Sequence, residues 1–120
     1  MKHLLLKTIA AVVLVGCGTS IHDAAAVGDI EAVKQLLSGG ADVNAKDTDD
    51  AIGMTPLHFA VANSHNEIVE MLLVNAGVNV KTGNGLTALD LAESKGDKEI
   101  IAILQKHGAK TGEELKAEGK

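Results

Sequence analysis

Apolar residues are distributed along this chain in two patterns. From Ile9 to Val15 they form an unbroken run, Ile9-Ala-Ala-Val-Val-Leu-Val15, apolar on every side and closed by Gly16. A membrane-spanning helix needs roughly 20 apolar residues, and this run is far shorter. A buried N-terminal helix is the weaker reading, because a chain of 120 residues offers little to surround it. Farther on, the apolar residues recur at helical spacing. Ile68, Val69, Leu72 and Leu73 stand at i, i+1, i+4 and i+5, which gathers them on one stripe. The stretches Glu31-Ala-Val-Lys-Gln-Leu-Leu37, Glu67-Ile-Val-Glu-Met-Leu-Leu73 and Glu99-Ile-Ile-Ala-Ile-Leu104 are versions of one another. Each is preceded by a shorter block opened by threonine, and these threonines, Thr19, Thr55 and Thr87, are 36 and 32 residues apart. Thr55 predicts an N-cap and Pro56 the first helical position, where its fixed φ helps and its missing N–H costs nothing. Ala60 and Ala62 keep that first helix thin. Gly77 reads as the left-handed residue that ends the second helix. The pattern predicts pairs of helices, each shorter than the roughly 12 residues that persist alone in water. Their stability must come from stacking.

Composition sharpens this picture. Hydrophobic residues make up 46% of the chain, yet the aromatics are a single Phe, so the core is built from Ala, Val, Leu and Ile. Small aliphatic side chains imply close helix–helix spacing. The 11 basic residues are all Lys against 16 Asp and Glu, for a net charge of −5. Without Arg there is no bidentate clamp for phosphate or carboxylate. Without Arg or stacking aromatics, an acidic chain is also a poor partner for nucleic acid. The one Cys excludes an intramolecular disulfide.

The N-terminal segment reads as an address. Lys2 and Lys7 without an acid, followed by the apolar run, form the n-region and h-region of a secretory signal over residues 1–16. The run ends in Leu14-Val15-Gly16-Cys17, which resembles the lipobox of bacterial lipoproteins. That resemblance implies cleavage before Cys17 and acylation of its sulfur and new amino group, with Cys17-Gly18 as a tether. Two or three acyl chains suffice for stable anchoring. Loss of Lys2 and Lys7 leaves nine Lys against 16 acids, a charge of −7. Gly18 stands where inner-membrane retention commonly uses Asp, so the expected location is the bacterial envelope, at the outer membrane facing the periplasm. Without lipidation the chain is expected to be secreted or periplasmic.

The threonine blocks carry a second resemblance. Thr55-Pro56-Leu57-His58-Phe59-Ala60 recurs as Thr19-Ser20-Ile21-His22-Asp23-Ala24 and Thr87-Ala88-Leu89-Asp90-Leu91-Ala92. The blocks close on Gly40-Ala41, Gly77-Val78 and Gly108-Ala109. The chain thus resembles the ankyrin repeat family, whose period is near 33 and whose signature is T-P-L-H-x-A followed by two helices. The resemblance implies an all-α solenoid of three helix-turn-helix repeats joined by hairpin loops, over about 19–51, 52–84 and 85–110. Terminal repeats need polar outer faces, and the outer two have lost apolar groups that the others keep. Ala32 and Gln35 stand in the first repeat where Ile68 and Met71 stand in the second, and Glu93 and Gln105 stand in the third where Val61 and Leu73 stand in the second. Beyond them, Thr111-Gly-Glu-Glu114-Leu115 reads as a capping box with an apolar follower, so residues 111–120 are a short capping helix or a tail.

Candidate chemistry is sparse. The resemblance assigns His22 and His58 structural hydrogen bonds around the turn. His58 and His65 lie roughly 10 Å apart along a helix at 1.5 Å per residue, too far to share a metal ion. The acidic stretch Asp47-Thr-Asp49-Asp50-Ala51-Ile52 fails as a calcium loop, because Ala51 and Ile52 occupy the places of the third acid and the glycine. Thr82-Gly-Asn-Gly85 joins two repeats rather than a strand to a helix, so it is a hairpin and not a phosphate loop. No enzyme, metal or cofactor is expected. The resemblance implies binding of another protein through hairpin tips and first helices, at Met54 and Leu86, then Ala62, Asn63, Ser94 and Lys95. Asp47, Asp49, Asp50 and Ile52 lie on a loop three residues longer than the family's spacing, a projecting acidic feature. With Trp, Tyr and Arg absent, Phe59 and Met54 are the remaining anchors. The expected molecule is a monomeric, lipid-anchored interaction module, with an inhibitor or immunity protein for a secreted enzyme as the alternative. A histidine-based enzyme or metal protein ranks below both.

Overall fold

The computed structural model describes residues 20–47 and 52–119. The signal segment, the lipobox with Cys17, Thr19, and the loop residues Asp49 and Asp50 lie outside the described residues.

Within them the chain forms helices in pairs: α1 (Ile21–Val27) with α2 (Ile30–Ser38), α3 (Pro56–Ala62) with α4 (Asn66–Leu73), and α5 (Ala88–Lys95) with α6 (Lys98–Lys106), followed by α7 (Gly112–Ala117). The first helices α1, α3 and α5 pack in a row, the second helices α2, α4 and α6 in another, and each first helix packs on its own second helix. The sequence dictates where these helices begin. Thr55 caps α3, Thr87 caps α5 and Thr111 caps α7, each hydroxyl accepting from the N–H three residues on. In the first repeat the cap falls on Ser20, one position later in register, and its hydroxyl accepts from Asp23 at 3.0 Å. The physical reason is local. Pro56 is preset for a helical φ, whereas Ser20 in the same register is a better cap than a first-turn residue.

The turn inside each repeat needs a left-handed residue. Gly28 (φ 81°), Ser64 (φ 60°) and Gly96 (φ 70°) hold the same position in register. The residue after it differs as well. Asp29 and Asp97 cap α2 and α6 by accepting from Ala32 at 3.1 Å and Ile100 at 3.2 Å. His65, in that place, gives α4 no side-chain cap. The middle repeat therefore lacks both the glycine and the capping acid of its neighbours.

Gly77 does not play the part expected of it. Gly40 (φ 92°) and Gly108 (φ 82°) supply left-handed residues after α2 and α6, but Gly77 is not among the positive-φ glycines. The segment after α4 is one residue shorter, Asn79 following Leu73 by six positions where Asn44 follows Leu37 by seven. Glycine is needed at 77 for close approach. A Cβ there would stand 2.8 Å from Val80 Cγ2, and the Gly77 N–H donates to Asn44 Oδ1 at 2.7 Å.

The core is continuous and aliphatic. It runs through Ala24, Ala25 and Val33, then Leu57, Ala60, Val61, Ile68, Val69 and Leu72, then Leu89, Ala92, Ile100 and Leu104, all buried. Leu72 is fully buried between repeats. Leu72→Ala is expected to destabilise the protein by about 2–5 kcal/mol, read as a lowered urea midpoint. A loss below about 1 kcal/mol, the level of a surface change, would contradict this register. Ser64→Gly is expected to do the reverse, since a left-handed conformation costs a side-chain-bearing residue roughly 1–2 kcal/mol. Part of that gain returns as glycine's entropy cost, so a rise in Tm without a change in fold is the expected result.

Candidate functional site

Two loops join the repeats, and a backbone hydrogen bond closes each. The Asp47 N–H donates to Met54 O at 2.8 Å, and the Thr82 N–H donates to Leu86 O at 2.8 Å. The bonded residues stand seven positions apart in the first loop and four in the second, so the first loop is three residues longer. The longer loop also leans on its neighbour, because the Gly83 N–H donates to the Ile52 carbonyl. Thr82 is buried, and its hydroxyl accepts from the Leu86 N–H at 3.1 Å.

A residue in the fourth place of each threonine block braces these loops from below. His22 Nε2–H donates to Ala45 O at 2.6 Å. His58 Nδ1 accepts from the Thr55 N–H at 3.0 Å, which leaves its proton on Nε2 and closes a capping box. Asp90 takes the same role in the third repeat, accepting from the Thr87 N–H at 3.0 Å and from the Gly112 N–H at 2.8 Å. The second contact docks α7, with Leu115 buried beneath it. Asparagines tie the segments after the second helices together. Asn44 accepts from Gly77 as above, and Asn79 Oδ1 accepts from the Lys110 N–H at 2.7 Å. Residue type alone does not single out these asparagines; the available signal is their shared position, three residues past Ala41 and Ala76.

The rings of the described histidines are engaged with the protein itself. His65 Nε2–H donates to Ala26 O at 3.0 Å across the repeat boundary, and His107 Nδ1–H donates to Ile103 O at 3.0 Å. Among the described residues no three His, Cys, Asp or Glu side chains are grouped to hold a metal ion. Burial is the main cause holding the His58 pKa below the usual value of 6.5. The Leu86 and Val80 backbones oppose that effect, and the nearby Lys46 charge adds to it. The Nε2 atom has no partner of hydrogen-bonding geometry, so the neutral ring is the one that fits.

The expected contact residues fall into two sets. Ile52 and Leu86 are exposed on the loops, by 42% and 37%, with Met54 and Asp47 half-buried beside them. Ala62, Asn63, Ser94 and Lys95 gather at the far ends of α3 and α5, where Lys95 Nζ donates to the Ala62 carbonyl. A seven-residue helix, about 10 Å at 1.5 Å per residue, separates the sets. Phe59 lies between them, half-buried on the core and edge-on to His22 with ring centroids 5.9 Å apart. It is a brace of the stack more than a free anchor.

Stacked helix pairs, threonine caps and loops projecting from one side define a helical-repeat solenoid. The family model described as ankyrin repeats (3 copies) matches residues 21–114, and the chain belongs to the ankyrin repeat family. It is 39% identical over 94 residues to human transient receptor potential cation channel subfamily A member 1. It is 40% identical over 91 residues to mouse Rabankyrin-5 and 35% identical over 94 residues to the NF-kappa-B inhibitor cactus of Drosophila melanogaster. These alignments cover 77%, 73% and 76% of this chain but only 8%, 8% and 18% of the relatives. The likeness therefore concerns the repeat domain, a protein–protein interaction module that is typically non-enzymatic.

The histidine supplies a pH test. Because the folded ring takes up a proton less readily than the unfolded one, protonation favours the unfolded chain as pH falls below about 6.5. The His58 contribution is complete above that value and is lost progressively below it. His58→Gln is expected to be less stable at neutral pH but to show a shallower fall in urea midpoint between about pH 7 and 5.5. An unchanged slope would remove His58 as the cause.

Proposed function

We propose that this protein is a lipid-anchored, non-enzymatic interaction module of the bacterial envelope. Its partner would dock on the loop tips and the ends of the first helices. The observation that carries the binding surface is the exposure of Ile52 and Leu86 on loops braced by backbone hydrogen bonds. Apolar side chains held in water on a fixed frame lose little freedom on binding. The sequence Leu14-Val15-Gly16-Cys17 after an apolar run supports the anchor. Aspartates at 47, 49 and 50 on the longer loop favour a basic partner surface, an attraction that acts mainly on association rate and weakens with salt.

A second reading, an inhibitor or immunity protein for a secreted enzyme, draws support from the likeness to a relative named as an NF-kappa-B inhibitor. A partner protein identified as a secreted enzyme would favour it.

Two measurements test the proposal. Cys17→Ser is expected to abolish incorporation of radiolabelled palmitate and to release the protein from membranes; label entering the variant would overturn the anchor. Cross-linked capture from solubilised envelopes is expected to return a protein partner, and Ile52→Asp with Leu86→Asp is expected to reduce that capture while the melting curve stays in place. Equal capture by the double variant would move the binding surface elsewhere.

A further inference from the structure

The hairpin Thr82-Gly-Asn-Gly85 contains the chain's only Asn-Gly pair. The other asparagines, at 44, 63, 66, 75 and 79, are each followed by a residue with a side chain. Asn44 and Asn79 brace the repeats as described, Asn63 Nδ2–H donates to Phe59 O at 2.9 Å, and Asn66 Nδ2–H donates to the Glu99 carboxylate. Asn84 and Gly85 are both exposed. Gly85 adopts φ 84°, and a Cβ there would meet nothing within 4 Å. The space around the Asn84–Gly85 peptide is therefore open, and glycine leaves that peptide free to rotate.

The hairpin also activates the Asn84 side chain. Thr82 is 5% exposed, and its hydroxyl accepts from the Leu86 N–H at 3.1 Å while donating to Asn84 Oδ1. A hydroxyl that accepts one hydrogen bond donates the next more strongly. This donor polarises the side-chain carbonyl and faces the oxygen on which negative charge gathers when a nucleophile adds to Cγ. The frame beneath is ordered, with the Gly83 N–H donating to Ile52 O and the Thr82 N–H to Leu86 O at 2.8 Å. The nucleophile is the neighbouring Gly85 nitrogen. Its N–H donates to Thr82 O at 3.0 Å, so the peptide first turns away from that carbonyl, an opening that exposed loop tips make at small cost. That rotation leaves the Thr82–Asn84 side-chain bond in place.

We infer that Asn84 is a self-modification site, converted without an enzyme to a carboxylate through a cyclic imide, and that α7 responds to the conversion. The Gly85 nitrogen gives its proton to hydroxide and bonds to Asn84 Cγ. The Cγ–Nδ2 bond breaks, and Nδ2 takes a proton from water and leaves as ammonia. Water then opens the ring at either carbonyl. Breaking the new Cγ–N bond leaves aspartate. Breaking the original peptide C–N bond leaves isoaspartate, whose main chain runs through Cβ and is one atom longer. Both products add a negative charge to the hairpin. A Cβ at Gly112 would overlap the Gly85 carbonyl oxygen, so α7 begins in direct contact with this hairpin. Isoaspartate shifts that carbonyl against α7, whereas aspartate keeps the main chain as it is. The inference does not depend on the lipid anchor or on the loop-tip surface.

The test is mass-spectrometric peptide mapping of the full chain incubated in mild detergent at mildly alkaline pH. Asn84 is expected to convert fastest of the asparagines, giving aspartate and isoaspartate that chromatography separates. Thr82→Val removes the donor and should slow conversion about two- to tenfold, the rate worth of one hydrogen bond. Thr82→Ser keeps the hydroxyl and should restore the rate. A merely structural role for Thr82 gives the opposite sign, because losing its bond to the Leu86 N–H loosens the hairpin and frees the Gly85 nitrogen. Melting curves show that each variant remains folded. In the separated isoaspartyl form, the amides of α7 should exchange faster than in the Asn84→Asp chain, which carries the same charge on a normal main chain. Conversion no faster at Asn84 than elsewhere, or an unchanged or faster rate in Thr82→Val, would overturn the site. Equal exchange in the two forms would overturn the response of α7. Neither readout involves a partner protein, so failure here leaves the loop-tip surface standing, and failure of envelope capture leaves Asn84 standing.

Discussion

Everything in this fold depends on how closely the first helices approach one another. Ala24 and Ala25 of α1, Ala60 and Val61 of α3, and Ala88 and Ala92 of α5 are all buried along the row where these helices meet. Small side chains set a short interaxial distance, and that distance lets a loop residue of one repeat reach the backbone of the next. The Asn44–Gly77 and Asn79–Lys110 bonds and the His65–Ala26 bond all cross from one repeat to its neighbour. A bulkier residue in the alanine row would separate the repeats and break these bridges together. Helices of seven to nine residues have no stability to fall back on.

The middle repeat shows where stacking outweighs local preference. By local rules it has the weakest inner turn, with Ser64 left-handed and His65 giving no cap. Yet it is the repeat flanked on both faces, and its second helix buries Ile68, Val69, Leu72 and Leu73. His65 exchanges a cap within its own repeat for a hydrogen bond to Ala26 across the boundary. Gly28 must stay small to allow this, since a Cβ there would come within 2.6 Å of the ring. The local cost and the inter-repeat gain fall at the same residues. The strain is therefore a consequence of how the neighbours fit.

Much of this was legible in the residues. The helix pairs, the threonine caps at 55 and 87, the thin alanine face and the capping box at Thr111–Glu114 follow from local propensity and period, which act over a few residues. The helix end near Gly77 was not legible, because Gly77 stands four positions past Leu73 where the left-handed Gly40 and Gly108 stand three past Leu37 and Gln105, and only the packed neighbour Val80 reveals why glycine remains. The candidate contacts divide in the same way. Ile52 and Leu86 stand exposed on the loops as their register implies, whereas Phe59 is committed to His22 and the core.

The central claim is that inter-repeat packing, and not the stability of any single helix, holds the molecule together. Native-state hydrogen exchange of the full chain tests it most directly, because each amide reports the free energy of the smallest opening that exposes it. The account predicts the slowest exchange in α3 and α4, at Val61, Val69 and Leu72, despite the uncapped start of α4. Amides of α1 and α7, each stacked on one side only, should exchange through smaller openings. Greatest protection in α6, whose cap is complete but whose outer face is open, would contradict the account, as would uniform protection across all the helices.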